Sequence, residues 1–126
     1  MVSLKQIVSM KNEENKAYCA VDFAFQRIGG KYRGRTLWYL NEDKVLRYGE
    51  LKRLLKGITT KMLTQTLREL EHDGLVFRKV YLEVPPKVEY SLTPAGLELI
   101  PIIDTLRQWA DRRILENPVS GEKIEC

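Results

Sequence analysis

The most regular hydrophobic pattern in the chain lies in the stretch GITTKMLTQTLRELEHDGLV, which runs from Gly57 to Val76. Its leucines share a narrow arc at 100° per residue, which predicts an amphipathic helix over residues 59–73. These leucines are Leu63, Leu67 and Leu70. Thr59 is a good N-cap, because its hydroxyl can accept a hydrogen bond from an unpaired backbone N–H, and Gly74 closes the helix. The stretch therefore predicts one helix with a buried face and an opposite polar face.

Two strands are predicted after this helix. Residues 75–82, LVFRKVYL, are rich in β-branched and aromatic side chains, and residues 87–92, KVEYSL, alternate between apolar and polar positions. Alternation of this kind is typical of a half-buried strand. The intervening residues 83–87, EVPPK, form the predicted hairpin tip, because proline cannot donate a hydrogen bond to a strand ladder.

The pattern predicts further helices on both sides of this region. Gly29 and Gly30 end the first of them, and Thr93 with Pro94 begins the last, because an N-cap followed by proline is a common helix start. Pro101 lies inside that last helix and is expected to kink it. The additional predicted elements are helices over 19–28, 31–40, 49–56 and 94–115, and a short strand over 46–48.

The order of these elements predicts a winged helix-turn-helix. A short helix over 49–56, a turn at Gly57 and the 59–73 helix make the helix-turn-helix, and the hairpin makes the wing. The fold class is α+β and mainly helical, with additional N- and C-terminal dimerisation helices. The predicted divisions are a flexible N-terminal segment (1–16), the winged helix-turn-helix domain with its dimerisation helices (17–115) and a C-terminal tail (116–126).

The dimer prediction comes from the last helix, which is apolar on more than one side. One side can cover the core, whereas the other needs a partner. Trp109 is interpreted as an apolar anchor in that seam. We therefore predict a two-fold homodimer built from helices 19–28 and 94–115, which would bind an inverted-repeat operator.

Composition excludes several classes of protein. The chain has 126 residues, of which 44% are hydrophobic and 30% charged. No apolar run approaches the roughly 20 residues of a membrane span, and we expect no signal peptide and no membrane association. The cysteine count is low, which favours a reducing, cytoplasmic location.

The chemistry-bearing residues are too few for a metal site or an enzyme. Two cysteines, Cys19 and Cys126, and the single histidine His72 cannot supply a metal-ligand set. The sequence has no paired nucleophile and base, and no glycine-rich phosphate loop. We therefore predict no cofactor and no enzymatic activity.

Positive charge is concentrated in the middle of the chain. Residues 31–87 hold 13 Lys and Arg against 7 Asp and Glu, whereas the rest of the chain holds 8 against 10. A basic central region suits a polyanionic partner such as double-stranded DNA.

The polar face of the 59–73 helix carries side chains that bind phosphates or read base edges. They cluster in the N-terminal part of the helix, the part that enters the major groove in this motif. The hairpin at 83–87 is the predicted wing, and its stiff, basic end suits a contact with the DNA backbone or minor groove. Of the pair Arg78 and Lys79, at most one can face DNA. The predicted DNA-binding residues are Thr59, Thr60, Lys61, Thr64, Gln65, Arg68 and Lys87.

Other polar residues of this helix receive a plainer interpretation. Glu69, Glu71 and Asp73 are interpreted as a solvated acidic end, and His72 as a surface histidine without chemistry. The alternative function is a winged-helix protein-interaction or RNA-binding module without operator recognition. An interaction module would favour aromatic side chains on the face where this chain has Lys, Gln and Arg.

Long blocks of the sequence resemble the HxlR-type winged helix-turn-helix regulators, which are MarR-like. The blocks are RYGELKR, GITTKMLTQTLRELEHDGLV and YLEVPPKVEYSLTPAG within residues 47–104, and Cys19 followed by IGGK (28–31) fits the opening of the family. The resemblance covers residues 19 to about 110. It implies a homodimer that binds operator DNA and represses or activates nearby genes.

Cys19 has two interpretations. A cysteine at this place is commonly a small packing residue. It also begins the first helix, and a helix N-terminus with Lys16 nearby favours a reactive thiolate. The resemblance implies that the N-terminal cysteine senses oxidants or electrophiles in some members, so that the effector here would be one of these. Cys126 could resolve an oxidised Cys19 only if the tail reaches it.

Overall fold

The computed structural model describes residues 19–117, which form five helices and three strands. The predicted flexible segment 1–16, most of the predicted tail 116–126 and Cys126 lie outside the described residues. The elements are α1 (Ala20–Ile28), α2 (Arg33–Asp43), β1 (Val45–Arg47), α3 (Tyr48–Leu54), α4 (Thr60–His72), β2 (Val76–Tyr81), β3 (Lys87–Leu92) and α5 (Pro94–Glu116).

The strands form one antiparallel sheet in the order β1-β3-β2. β2 and β3 make the predicted hairpin, with Tyr81 opposite Lys87 at the end next to the connecting loop. β1 confirms the predicted short strand, one residue earlier than expected, and pairs with β3 so that Arg47 lies opposite Glu89. Because β1 directly precedes α3, this pairing joins the wing to the helix-turn-helix.

The core lies between α2, the helix-turn-helix and the sheet. Leu63, Leu67 and Leu70 of α4 are buried, as the periodicity predicted. Burying such side chains contributes roughly 1.5–3 kcal/mol each. The remaining core residues come from the neighbouring elements: Tyr32, Leu37, Leu40, Leu46, Leu51, Leu55, Ile58, Leu75, Val76 and Tyr90.

Local differences from prediction occur at helix ends. α2 begins at Arg33, two residues after the predicted start of the 31–40 helix, and continues three residues beyond its predicted end to Asp43. The chain turns instead at Lys44, which has a φ of 68°. At the end of α1, Gly29 is extended and Gly30 takes the left-handed conformation with a φ of 84°. The positive φ of Lys44 ends α2, because a right-handed helix requires a negative φ.

The start of α5 depends on a close contact with the end of the helix-turn-helix. Thr93 caps α5 by accepting a hydrogen bond from the Gly96 N–H at 3.0 Å, and its hydroxyl donates to the Gly74 carbonyl at 2.6 Å. Its backbone N–H donates to the Leu75 carbonyl at 3.1 Å. α5 continues as a helix through Pro101. Within residues 19–117, no helix is long and apolar enough to cross a bilayer.

Candidate nucleic-acid interface

The N-terminal end of α4 is shaped by its cap. The Thr59 hydroxyl accepts a hydrogen bond from the Met62 N–H at 3.1 Å, which is the predicted capping role. Thr60, the first residue of the helix, is exposed. Both threonines therefore lie where helix N–H groups point outward, a location that favours anionic groups.

An exposed polar stripe runs along α4 on the face opposite its buried leucines. Its members lie at successive helical turns and are exposed along the whole helix: Lys61, Gln65, Arg68 and His72. The stripe lines one side of an open cleft of about 670 Å³. Arg27 of α1 and Arg33 of α2 line the opposite side. The sequence-predicted Lys61, Gln65 and Arg68 are thus brought together on one accessible surface.

The interpretation of Glu69 and Asp73 as a solvated acidic end was wrong. Glu69 forms an ion pair with Arg33, and Asp73 lies 4.0 Å from the Arg27 guanidinium. Both carboxylates are partly buried beneath α1 and α2, where a nearby guanidinium offsets their charge. Gln65 is also involved, because its amide donates to the second carboxylate oxygen of Glu69 at 3.0 Å.

Tyr48 is a residue that the sequence interpretation assigned only to a short strand. It begins α3, and its hydroxyl donates to the Thr60 carbonyl at 2.9 Å. The same hydroxyl lies 3.0 Å from the hydroxyl of Thr64, which is partly buried. Tyr48 therefore joins the start of α3 to the N-terminal part of α4, and it holds Thr64 in place. The sequence does not predict this contact, because an aromatic residue at the start of a helix shows no pattern that indicates its partner.

The wing begins as predicted, but its charged residues contact each other. Lys87 is the first residue of β3, and its ammonium lies 3.5 Å from Glu89 and 4.8 Å from the centre of the Tyr81 ring. A hydrogen bond from the Tyr81 side chain, with the charges of Lys87 and Arg47, lowers the pKa of Glu89 below its ordinary value. The loop itself exposes the apolar side chains of Leu82 and Val84 almost completely.

Arg78 adds a cation to the α4 surface. The sequence did not decide whether Arg78 or Lys79 would face DNA. It lies on β2 and lines a depression of about 300 Å³ together with Thr64 and Arg68 of α4. Lys79 lies on the other side of the strand, 4.8 Å from the centre of the Tyr81 ring. Arg78 is therefore the member of the pair that shares a surface with α4.

Cys19 lies at the N-cap of α1 and is exposed. Its carbonyl accepts a hydrogen bond from the Phe23 N–H at 2.9 Å, while its side chain makes no capping bond. The thiol is thus accessible to solvent and is not a core residue of the described chain. Among residues 19–117, no group of His, Cys, Asp and Glu side chains could hold a metal ion.

The arrangement of a cationic, amide-bearing helix beside a sheet hairpin agrees with the comparison to known families. The model of the HxlR-like helix-turn-helix family matches residues 27–118. The chain belongs to the HxlR-like helix-turn-helix family. Its relatives are transcriptional regulators and not enzymes, and so this HxlR-like protein is a helix-turn-helix transcriptional regulator that binds DNA.

Three similar proteins illustrate this membership. An uncharacterized HTH-type transcriptional regulator of Methanothermobacter thermautotrophicus is 46% identical over 110 residues. The matched residues cover 87% of this HxlR-like chain and 83% of the relative's chain. The redox regulator HypR in its oxidised form is 46% identical with a TM-score of 0.70, covering 75% and 96% of the two chains. A MarR-family regulator from Porphyromonas gingivalis is 42% identical with a TM-score of 0.70, covering 76% and 93%.

Proposed function

We propose that the protein binds an inverted-repeat operator as a two-fold homodimer, with α4 of each copy in the major groove. The observation that carries the proposal is the exposed stripe of Lys61, Gln65 and Arg68 on α4. Arginine and glutamine can each make paired hydrogen bonds to base edges, and lysine suits phosphates or guanine. Because these side chains are one helical turn apart, they can follow successive bases along one groove.

The residues around the stripe suit phosphate contacts. Thr59 and Thr60 lie at the helix N-terminus, where backbone N–H groups also favour phosphate oxygens. Thr64 and Arg78 border the same surface. Lys87, at the start of the wing, is proposed to contact the backbone once DNA competes with Glu89 for its ammonium. In this arrangement the threonines and the wing fix position, while Gln65 and Arg68 read sequence.

The proposed dimer uses the apolar surfaces that the fold leaves uncovered. α1 has no buried residue, and both Val21 and Phe25 are more than half exposed. On α5, Ile102, Leu106 and Trp109 form an exposed apolar stripe, as the sequence pattern predicted. Two copies related by a dyad would hold their α4 helices about 34–36 Å apart, the spacing of successive major grooves on one face of DNA. Because the partner is chromosomal DNA, the proposal includes a cytoplasmic location.

The test uses duplexes selected from a randomised pool by the parent protein, followed by footprinting on the DNA upstream of its own gene. Gln65→Ala and Arg68→Ala should each weaken binding by about 1–3 kcal/mol and relax the sequence preference at one position. Lys61→Ala should weaken binding on all sequences and flatten the salt dependence by about one unit.

The matched control is Glu71→Ala, which removes an exposed carboxylate of the same helix outside the stripe, beside Arg68 and Arg78. Because a negative charge near the DNA is lost, the variant should bind all sequences more tightly. It should leave sequence preference intact. Parent-like affinity and selectivity in both Gln65→Ala and Arg68→Ala would mean that α4 is not the reader, and would favour an interaction module.

We also propose that Cys19 makes operator binding sensitive to oxidants. Its thiol is exposed at the N-cap of α1, and one of the similar structures is a redox regulator captured in oxidised and reduced forms. α1 contributes to the proposed dimer, so modification there would act on the spacing of the two reading helices. A quinone or mild oxidant should change operator affinity about tenfold in the parent and not in Cys19→Ser.

Cys126→Ser serves as the second arm of that experiment, since Cys126 lies outside the described residues. It separates modification of Cys19 alone from pairing of the two thiols. Unchanged affinity in the oxidant-treated parent, with Cys19 unmodified by mass spectrometry, would contradict the proposed redox role of Cys19.

A further inference from the structure

We infer that Glu69 is a positioning residue that fixes the amide of Gln65 so that it reads an adenine. The inference deepens the proposed function and rests on it. It starts from three side chains in contact: Arg33 of α2, Glu69 of α4 and Gln65 of α4. An i, i+4 pair alone is only weakly stabilising on an exposed helix, whereas here a third residue, from another helix, also binds the carboxylate.

The two carboxylate oxygens of Glu69 have separate partners. Oε2 accepts from the Arg33 guanidinium, and Oε1 accepts from Nε2 of Gln65 at 3.0 Å. Arg33 also donates to the carbonyl of Gln26 at the end of α1, so its guanidinium is held from two directions. The carboxylate is therefore fixed in position, and its charge is balanced before any phosphate approaches.

The contact decides which hydrogen-bonding groups Gln65 offers to DNA. A carboxamide has two N–H donors and one carbonyl acceptor. One N–H is used by Glu69, which leaves one N–H and the carbonyl oxygen of Gln65. Adenine presents N7 as an acceptor and N6–H as a donor in the major groove, and this is the complementary pair. Guanine presents two acceptors there, and the constrained amide has only one free N–H to donate to them.

Pre-orientation also lowers the cost of binding. A free glutamine side chain loses rotamer freedom when it makes a bidentate contact, whereas one already held by Glu69 has lost part of it on folding. Glu69 thus contributes to selectivity without touching the base, and Arg33 contributes by holding Glu69.

The experiment determines base preference for the parent, Gln65→Ala, Glu69→Ala and the double variant, using duplexes selected from a randomised pool. Gln65→Ala identifies the base pair read by Gln65, and in the parent that pair should be adenine–thymine. Glu69→Ala should reduce the adenine preference at that pair about tenfold. The double variant should show no further loss beyond Gln65→Ala. Glu71→Ala is the control for removing an acidic side chain from this helix.

Glu69→Gln is a second variant that keeps the size of the side chain and an acceptor for Arg33. With its carbonyl oxygen accepting from Arg33, its NH2 group would face Gln65 and donate to the Gln65 carbonyl oxygen, which turns the Gln65 N–H groups toward the groove. Preference should then move from adenine toward guanine. Affinity for a non-specific duplex should not fall in the Glu69 variants, because loss of the carboxylate leaves the positive charge of Arg33 beside the DNA. Lost base preference without lost non-specific affinity separates lost orientation from lost folding.

The outcomes distinguish this inference from the proposed function. If Gln65→Ala relaxes an adenine–thymine pair but Glu69→Ala or Glu69→Gln keeps the parent's adenine preference, Glu69 has no positioning role while α4 remains the reader. If Gln65→Ala relaxes a pair that is not adenine–thymine, the inference also fails. If no selected duplex depends on Gln65 or Arg68, the proposed function itself fails.

Discussion

Replacing Gly96 by alanine is expected to destabilise the fold by about 3 kcal/mol, the upper end of the usual cost of overpacking. Gly96 is buried in the first turn of α5, and a Cβ atom there would lie 2.2 Å from the carbonyl oxygen of Leu75. It would also lie 3.2 Å from a methyl carbon of Leu92. Backbone cannot yield as a flexible side chain can, so α5 would have to move away from the end of α4.

That movement would also disturb the hydrogen bonds of the cap. The Leu75 carbonyl accepts from the Thr93 N–H, and Thr93 in turn caps α5 and donates to Gly74. The measurement is a urea unfolding midpoint for parent and variant at equal protein concentration, because association shifts apparent stability. Gly49→Ala is the control, since no atom lies within 4 Å of the added carbon there. Alanine at Gly49, inside α3, should be neutral or stabilising by roughly 0.5–1 kcal/mol.

A Gly96→Ala protein that unfolds at the same midpoint as the parent would contradict a close contact between α5 and the Leu75 carbonyl. A destabilised Gly49→Ala would instead point to a general intolerance of substitution in this small fold.

Introducing a charge into the apolar stripe of α5 should separate the proposed dimer. Leu106 lies between Ile102 and Trp109 on the exposed side of the helix, and 43% of its surface is exposed. In a two-fold interface Leu106→Glu would place one carboxylate from each copy in the same apolar seam, and burying unpaired charges is costly. Operator affinity should fall about 100-fold or more, because each half-site would then be bound separately.

The measurement pairs sedimentation with operator binding at one protein concentration. Leu115→Glu is the control, because it makes the same substitution on the opposite face of α5, where 83% of the Leu115 surface is exposed. The control should sediment and bind as the parent does. A parent that sediments at 14.7 kDa at micromolar concentration, or a Leu106→Glu variant with full operator affinity, would contradict the dimer.

The parts of the fold that follow from the sequence are those set by residues close together in the chain. The leucines of α4 and the cap from Thr59 to Met62 depend on spacings of three or four residues, which the helix itself imposes. The exposed stripe of α4 follows from the same periodicity. The hairpin is equally local, because its prolines prevent strand pairing.

The contacts that sequence could not supply join distant residues. Arg33 and Glu69 are 36 positions apart, and Tyr48 and Thr64 are 16 apart. Periodicity showed Glu69 only as an acidic residue near the end of a helix, because the neighbouring sequence does not indicate that α2 lies next to it. The pairing of β1 with β3 was missed for the same reason: a three-residue strand carries no pattern that names its partner.

All the side chains proposed to touch DNA lie within one uninterrupted segment, residues 45–92, whose three strands form a single sheet. The surfaces proposed to join two copies lie outside it, on α1 and α5. After a gene duplication, substitutions within the segment could give one copy a new target while both copies keep the same pairing surfaces. Sister regulators with different targets would then still assemble into mixed pairs, each suited to an operator with two unlike halves.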